Sequence, residues 1–168
     1  GDVYKRQVES EPGQGSCFEV LIDLKIAKER PAFLSSKEEE TPNGTILEGM
    51  HFLCAEDNEL NAEILTELLK IKGAECTICE NGEKVVKTFE QSVPGTYDMI
   101  LMDVQMPVMN GYDAARAIRR SLHKQAGTIP IIAMTANAFS EDIRHSLTAG
   151  MNAHIAKPVD MKLLITMI

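Results

Sequence analysis

With 168 residues, of which 44% are hydrophobic and 25% charged, the chain has the composition of a globular protein and room for one ordinary domain plus a smaller segment. The net charge of −8 argues against nucleic-acid binding, since no basic stripe is present to neutralise phosphates, and no apolar run approaches the roughly 20 residues of a membrane span. Four scattered cysteines form no dense disulfide framework, which together with the lack of a signal peptide predicts a cytoplasmic location.

The first quarter of the chain divides into three segments. Residues 1–7 resemble the translation of a sequencing-library adapter, so we treat them as an artefact and exclude them from fold reasoning. Residues 8–25 contain a glycine-rich turn followed by a strand with alternating apolar and acidic side chains. Residues 26–48 are charged and punctuated by proline and glycine, which indicates a solvated linker. The main predicted domain covers residues 49–168.

Within residues 49–168, short apolar runs alternate with segments of helical periodicity. Five strands joined by helices imply right-handed crossovers and a doubly wound parallel sheet of the α/β class. The last helix begins near Asp160, and we expect it to be truncated at Ile168. The predicted strands are Met50–Ala55, Ala74–Cys79, Met99–Met102, Ile129–Thr135 and Ala153–Ala156. The first predicted helix carries an apolar stripe of Leu60, Ile64, Leu65, Leu68 and Leu69. The next three predicted helices are Glu83–Gln91, about Tyr112–His123 with Leu122 on its inner face, and Phe139–Ala149.

Chemically capable side chains follow the ends of these strands: Glu56 and Asp57 after the first, Asp103 after the third, Thr135 at the end of the fourth and Lys157 after the fifth. The carboxyl ends of parallel strands meet at one edge of the sheet, so we expect these residues to converge. Three carboxylates repel one another unless a divalent cation intervenes, and oxygen ligands favour Mg²⁺ or Mn²⁺. Lys157 and Thr135 suit phosphoryl oxygens, which leaves Asp103 as a nucleophile that forms an aspartyl phosphate. An acidic rim with a lysine salt bridge is the purely structural alternative.

Four short motifs resemble those of the receiver domains of two-component response regulators. The resemblance implies a flavodoxin-like, five-stranded parallel sheet with strand order 2-1-3-4-5. It also implies that Asp103 is the phosphoacceptor, that Thr135 and Lys157 contact the phosphoryl group, and that Glu56, Asp57, Asp103 and the backbone carbonyl of Gln105 bind Mg²⁺. The motifs are Ala55-Glu56-Asp57-Asn58, Met102-Asp103-Val104-Gln105-Met106-Pro107, Met134-Thr135-Ala136 and Ala156-Lys157-Pro158.

The chain departs from the receiver pattern at one position. Receivers often carry an aromatic switch residue three positions before the lysine, and this chain has His154 there. The resemblance therefore implies that Thr135 and His154 form the switch, with a pH dependence that an aromatic residue would not give. A half-exposed histidine at a strand edge, without a switching role, is the alternative interpretation.

Residues 8–25 resemble the last glycine box and the following strand of the ATP-binding domain of histidine kinases. The other boxes of that domain are absent, so this fragment cannot bind ATP by itself and its status as an enzyme stays open. Together the two resemblances imply a hybrid sensor histidine kinase, whose membrane anchoring also stays open. The expected phosphohistidine donor is the protein's own kinase or a histidine phosphotransfer protein.

Two other functions are consistent with a nucleophilic aspartate at a strand end. A phosphatase of the haloacid dehalogenase type needs a second acid two residues after the nucleophile, and the residue there is Gln105. A degenerate receiver that acts only as a docking module would normally have lost Asp103, Lys157 or one of the acidic pair, and all of them are present. Phosphoryl transfer to Asp103 is the function that the sequence favours.

Overall fold

The computed structural model describes residues 4–11, 15–22, 45–136 and 140–168. The chain divides into two units, Gly1–Asn43 and Gly44–Ile168. Of the segment interpreted as a linker, the part before Thr45 therefore lies outside the described residues.

The first unit contains an antiparallel hairpin of two strands, β1 (Tyr4–Glu11) and β2 (Gly15–Ile22). Strand β2 is the strand expected after the glycine-rich turn. Strand β1 is unexpected, and it includes part of the segment at 1–7 that we excluded from fold reasoning.

The second unit is a five-stranded sheet in the order β4-β3-β5-β6-β7, with every neighbouring pair parallel. Counted within this sheet, the order is 2-1-3-4-5, which confirms the predicted doubly wound, flavodoxin-like fold. The elements are β3 (His51–Ala55), α1 (Glu59–Ile71), β4 (Glu75–Cys79), α2 (Gly82–Gln91), β5 (Met99–Asp103), α3 (Gly111–Arg120), β6 (Ile131–Thr135), α4 (Ser140–Thr148), β7 (Ala153–Ala156) and α5 (Met161–Thr166).

Both faces of this sheet are covered, which explains why its central strands read as continuous apolar runs. Leu53 of β3 packs toward α2 and α3, among a cluster that includes Phe89 and Ile118. Its neighbour Phe52 packs on the opposite face, in the cluster that contains residues of α1 and α5. Because alternate residues of each strand enter different clusters, the register fixes which side chains reach each face.

Two predicted helical faces are wrong in part. In α1 only Leu65 and Leu69 of the five-residue stripe are buried, whereas Leu60 is 64% exposed. A helix packed on a sheet buries one side only, so the row through Leu60 turns away from the core. Helix α3 ends at Arg120 because the following residue adopts an extended conformation, and Leu122, predicted on the inner face, is fully exposed.

Asparagine side chains start the helices that follow three of the strands. The Asn58, Asn81 and Asn110 side chains each accept a hydrogen bond from the backbone N–H three residues later, at 2.9–3.0 Å. This is the standard N-cap arrangement, and it fixes where each loop at the carboxyl edge of the sheet ends. In the pairs Asn81-Gly82 and Asn110-Gly111, the asparagine is the N-cap and the glycine is the first residue of the helix.

Arg119 ties the end of α3 to the segments that lead into the last two strands. Its guanidinium donates to the carbonyl oxygens of Gly150 and Ala126 and to the side-chain oxygen of Asn152, each at 2.8 Å. This clamp sets the position of β7, and hence of Lys157 at its end, relative to the rest of the sheet.

Within the described ranges no helix is long and apolar enough to cross a lipid bilayer.

Candidate functional site

The predicted site residues meet at the carboxyl edge of the five-stranded sheet. Glu56 and Asp57 directly follow β3, Asp103 is the last residue of β5, Thr135 is the last of β6, and Lys157 directly follows β7. Carboxylate oxygens of Glu56, Asp57 and Asp103 lie within 4.8 Å of one another. The sheet order places β5 between β3 and β6, so Asp103 has the acidic pair on one side and Thr135 on the other.

Lys157 joins two of the three carboxylates. Its Nζ atom lies 2.6 Å from Oδ2 of Asp103 and 2.5 Å from Oε2 of Glu56. Both carboxylates are nearly inaccessible to water, with Glu56 4% and Asp103 5% exposed. Such buried charges are tolerated only when paired and hydrogen-bonded, so the single ammonium group supports both acids.

Neutral groups donate hydrogen bonds to the second oxygen of each of these two carboxylates. The Asn61 side-chain amide donates to Oε1 of Glu56 at 3.0 Å, and the backbone N–H of Gln105 donates to Oδ1 of Asp103 at 3.1 Å. Each carboxylate therefore has one oxygen on Lys157 and the other on a neutral donor. Sequence patterns do not predict this role of Asn61, although its place one turn into α1 after Asn58 puts it on the site side of the helix.

Burial raises the pKa of the Asp103 carboxyl, even though the hydrogen bond and charge of Lys157 and the N–H of Gln105 act in the opposite direction. Burial alone would lower the pKa of Lys157, but its hydrogen bonds to Asp103 and Glu56, and their charges, raise it overall. The charge of Glu56, which shares Lys157 with Asp103, adds to the effect of burial and raises the pKa of Asp103 further. The ionised form of Asp103 is consequently under-stabilised in the metal-free site.

The donor set fits a hard divalent cation. Three carboxylates and one ammonium leave two uncompensated negative charges, and the third acid, Asp57, is exposed to solvent. Oxygen donors at this spacing are typical of Mg²⁺ sites, in which water and substrate oxygens take the remaining positions. An ion entering past Asp57 would relieve the repulsion that Lys157 alone leaves in place.

A cavity of about 300 Å³ adjoins the site between α1 and the loop after β7. Its walls are mainly apolar, and its polar lining residues are Glu56, Asn61 and Lys157. The sequence did not predict this cavity. A signal of it was present, because α1 carries more apolar residues than the core can bury. The apolar lining residues are Ile64, Leu65, Leu68, Met134, Pro158 and Val159.

The remaining predicted residues occupy the expected positions without a demonstrated role. Thr135 is 7% exposed, and its carbonyl oxygen accepts the backbone N–H of Lys157 at 2.8 Å. His154 is half-buried on the edge strand β7, opposite Ala133 in the register. The switching roles of Thr135 and His154 stay predictions.

Comparison with known proteins gives consistent similarities. Residues 52–168 match the family model described as the response regulator receiver domain. Hybrid signal transduction histidine kinase I of Dictyostelium discoideum is 38% identical over 118 residues, which span 69% of this chain but only 7% of that kinase.

The solved structures that resemble the second unit include two receiver domains. The receiver domain of a Pseudomonas aeruginosa sensor histidine kinase, with a magnesium ion coordinated in its active-site cleft, is 37% identical with a TM-score of 0.63, covering 71% of this chain and 93% of that one. The receiver domain of a Saccharomyces cerevisiae response regulator, crystallised with a histidine phosphotransfer protein, is 31% identical with a TM-score of 0.63, covering 71% of this chain and 86% of that one.

In metal-free buffer at pH 7, Asp103→Asn is expected to increase the free energy of unfolding. The folded pKa of Asp103 is raised, so its contribution to stability is fully present below its unfolded pKa and is lost as the pH rises through the folded pKa. The variant has no carboxyl group at this position and does not lose this contribution. The excess of its free energy of unfolding over that of the wild type should therefore shrink as the pH falls toward 3.8, the ordinary pKa of an aspartate carboxyl. Urea unfolding of both proteins at pH values from 7 down to 3.8 measures this difference in free energy of unfolding.

Asp57→Asn is the control, because it removes an exposed carboxylate from the same cluster and should change stability less. An Asp103→Asn variant that is less stable than the wild type at pH 7 would show that the ion pair with Lys157 outweighs the cost of burial.

Proposed function

The chain belongs to the response regulator receiver domain family, and we propose that it serves a phosphorelay by accepting a phosphoryl group from a phosphohistidine onto Asp103. The observation that carries the proposal is the shared lysine: Lys157 contacts both Asp103 and Glu56, at an edge where Asp57 adds a third carboxylate. This arrangement provides a nucleophilic oxygen and positive charge for the group being transferred, and it leaves acids to hold a cation.

Each residue has a definite task in the transfer. An Asp103 oxygen forms the new bond to phosphorus while the bond from phosphorus to the donor imidazole nitrogen breaks and its electron pair stays on the imidazole. The N–H of Gln105 holds Oδ1 of Asp103, which orients the carboxylate for attack. Lys157 exchanges its contact with Asp103 for one with a phosphoryl oxygen, and the hydroxyl of Thr135 donates to another.

We assign Mg²⁺ to the acidic cluster, with Mn²⁺ as a substitute of the same ligand preference. The expected ligands are Glu56, Asp57, Asp103 and the backbone carbonyl of Gln105. When bound, the cation neutralises negative charge on the oxygens of the transferring group. The magnesium ion in the related P. aeruginosa receiver supports this assignment.

For the parent protein we propose a hybrid sensor histidine kinase, with the receiver at 49–168 in the cytoplasm. The 38% identity to a hybrid histidine kinase supports this. In this proposal residues 8–25 are the end of the kinase ATP-binding domain, residues 26–48 are a linker, and residues 1–7 are foreign. The fragment itself would catalyse only the phosphorylation and dephosphorylation of its own aspartate.

We propose that the donor docks on α1. Leu60 is 64% and Ile64 48% exposed, and Ile64 lines the apolar cavity that Glu56 and Lys157 also line. An exposed apolar row that leads to the acceptor suits a helix that carries the phosphohistidine. The complex of a related receiver with a histidine phosphotransfer protein supports this class of partner.

Incubation of the chain with Mg²⁺ and acetyl phosphate should give a single phosphoryl adduct in intact-mass spectrometry. The adduct should require Mg²⁺ and be absent in Asp103→Asn, because the variant lacks the nucleophilic oxygen. Circular dichroism of both proteins controls for folding. No adduct on a folded wild-type chain would favour the docking-module function, and an adduct retained by the variant would place the acceptor elsewhere.

Ile64→Gln should slow phosphoryl transfer from a phosphorylated histidine phosphotransfer protein by about tenfold, since it removes an apolar contact at the centre of the proposed interface. Labelling by acetyl phosphate, which needs no docking, should be unchanged. Ile71→Gln is the matched control, because Ile71 is 68% exposed on the same helix but at the end far from the site. Equal transfer rates for the two variants would argue against docking on α1.

A further inference from the structure

Two cysteines are diagonal neighbours on one face of the five-stranded sheet. In the register between β3 and β4, Cys54 lies opposite Ile78, and Cys76 lies opposite Phe52. Because alternate residues of a strand point to the same face, the side chains of Cys54 and Cys76 both lie on the face that α1 covers. Both are free thiols, and the proposed phosphoryl transfer uses neither.

Cys79 follows Cys76 by three residues but does not belong to this pair. An odd spacing along a strand directs two side chains to opposite faces. Cys79 accordingly lies in the cluster that contains residues of α2 and α3, and its Sγ atom is 3.6 Å from Oγ1 of Thr88. The pair of thiols that share a face is therefore Cys54 and Cys76.

The two thiols of the pair differ in their access to solvent. Cys54 is fully buried, whereas Cys76 is half-buried and lines a cavity of about 490 Å³. A small reagent can therefore reach the sulfur of Cys76, with Cys54 behind it in the core. The other residues that line this cavity are Thr66, Lys70, Gly73, Ala74 and Glu75.

Hydrogen bonds stabilise the ionised form of Cys76. Its Sγ atom lies 3.5 Å from Oγ1 of Thr66. The Thr66 hydroxyl donates to the carbonyl oxygen of Ala62 at 2.8 Å, and it can turn its proton toward the sulfur when the thiol ionises. A hydrogen bond from the Cys54 thiol has the largest effect, and with that of Thr66 it lowers the pKa of Cys76 to about 6 against the opposing effect of burial. The thiolate is the form of cysteine that attacks disulfides.

The lining of the cavity carries one cation and one anion beside this sulfur. Lys70, in the last turn of α1, pairs with Glu67 at 3.6 Å, but the two side chains are 72% and 65% exposed, so the pair is weak and Lys70 can exchange partners. Glu75 is exposed and directly precedes Cys76. A small molecule that carries both carboxylate and ammonium groups therefore finds an opposite charge for each beside the sulfur.

We propose that Cys76 is a modification site that forms a mixed disulfide with a small peptide disulfide bearing carboxylate and ammonium groups. The Cys76 thiolate attacks one sulfur of the reagent and a new S–S bond forms. The S–S bond of the reagent breaks, and its electron pair leaves on the second sulfur, which takes up a proton from water. The reagent is itself the oxidant, so the exchange needs no further reactant.

Each neighbour of the sulfur has a separate task in this exchange. Cys54 and Thr66 are positioning residues that keep the attacking sulfur ionised, and Lys70 and Glu75 hold the charged groups of the reagent. Cys76 is near the start of β4, whereas the acceptor Asp103 ends the parallel strand β5, so the two sites lie toward opposite edges of the sheet. The modification is therefore independent of the proposed function.

The whole chain contains its own control, because Cys17 is exposed whereas Cys76 is half-buried. Oxidised glutathione is the probe, and peptide mass mapping follows the two cysteines. At pH 6 the adduct should form at Cys76 at least about tenfold faster than at Cys17, since the larger thiolate fraction outweighs the lower nucleophilicity of a less basic thiolate. Exposure alone predicts the opposite order.

Two substitutions of Cys54 test its positioning role. The pH profile of alkylation of Cys76 by iodoacetamide should have its midpoint at about 6 in the wild type. Cys54→Ala should move this midpoint upward, because the hydrogen-bond donor is lost, and Cys54→Ser should bring it back, because a hydroxyl donor replaces the thiol. Equal midpoints in the wild type and Cys54→Ala would contradict the role of Cys54.

Lys70→Gln tests the recognition of the reagent. It should slow the reaction of Cys76 with oxidised glutathione but leave the reaction with uncharged hydroxyethyl disulfide unchanged. Lys87→Gln is the matched control, because Lys87 is an exposed lysine on α2, which packs on the other face of the sheet. Circular dichroism verifies the fold of each variant.

Two results with the wild-type chain would overturn the proposal. The first is an adduct that forms at Cys17 as fast as at Cys76. The second is a chain that loses two hydrogen atoms and gains no adduct, because Cys54 and Cys76 would then have joined to each other. Neither result depends on the folding of a variant, and labelling of Asp103 by acetyl phosphate should proceed in both the modified and the unmodified chain.

Discussion

One ammonium group shared by two buried carboxylates is the interaction on which the site depends. Lys157 lies between Asp103 and Glu56, at 2.6 and 2.5 Å, while Asp57 adds a third acid within the same cluster. Removal of Lys157 would leave two buried carboxylates without a cation, whereas after removal of Asp103 the lysine would still pair with Glu56. The site carries two more negative than positive charges, and one divalent cation would balance them.

The rest of the fold brings these charges together from distant parts of the sequence. Parallel strands deliver Glu56, Asp103 and Lys157 to one edge, and asparagine caps end the loops that carry the first two. The Arg119 clamp fixes the segments that lead into β6 and β7. Stability elsewhere therefore maintains an electrostatically unfavourable arrangement at the edge, as is common at sites built for chemistry.

The sequence predicted the strand order and the convergence of the site residues because both follow from strand-end positions, which are local features. It did not predict that Leu60 and Leu122 would be exposed, since helical periodicity identifies an apolar row but not which side faces the sheet. It also did not predict the positive φ of +67° at Val108, in the loop between β5 and α3. Burial and the pKa of Asp103 depend on packing that periodicity does not specify.

The most direct test is the dependence of unfolding free energy on Mg²⁺ concentration. If the acidic cluster is completed by the ion, wild-type stability should rise with Mg²⁺, by about 2.7 kcal/mol at 100 times the dissociation constant. Asp57→Asn should lose most of this rise, because it removes a proposed ligand without disturbing the buried ion pairs. A free energy of unfolding that does not respond to Mg²⁺, or a full response in Asp57→Asn, would contradict the account.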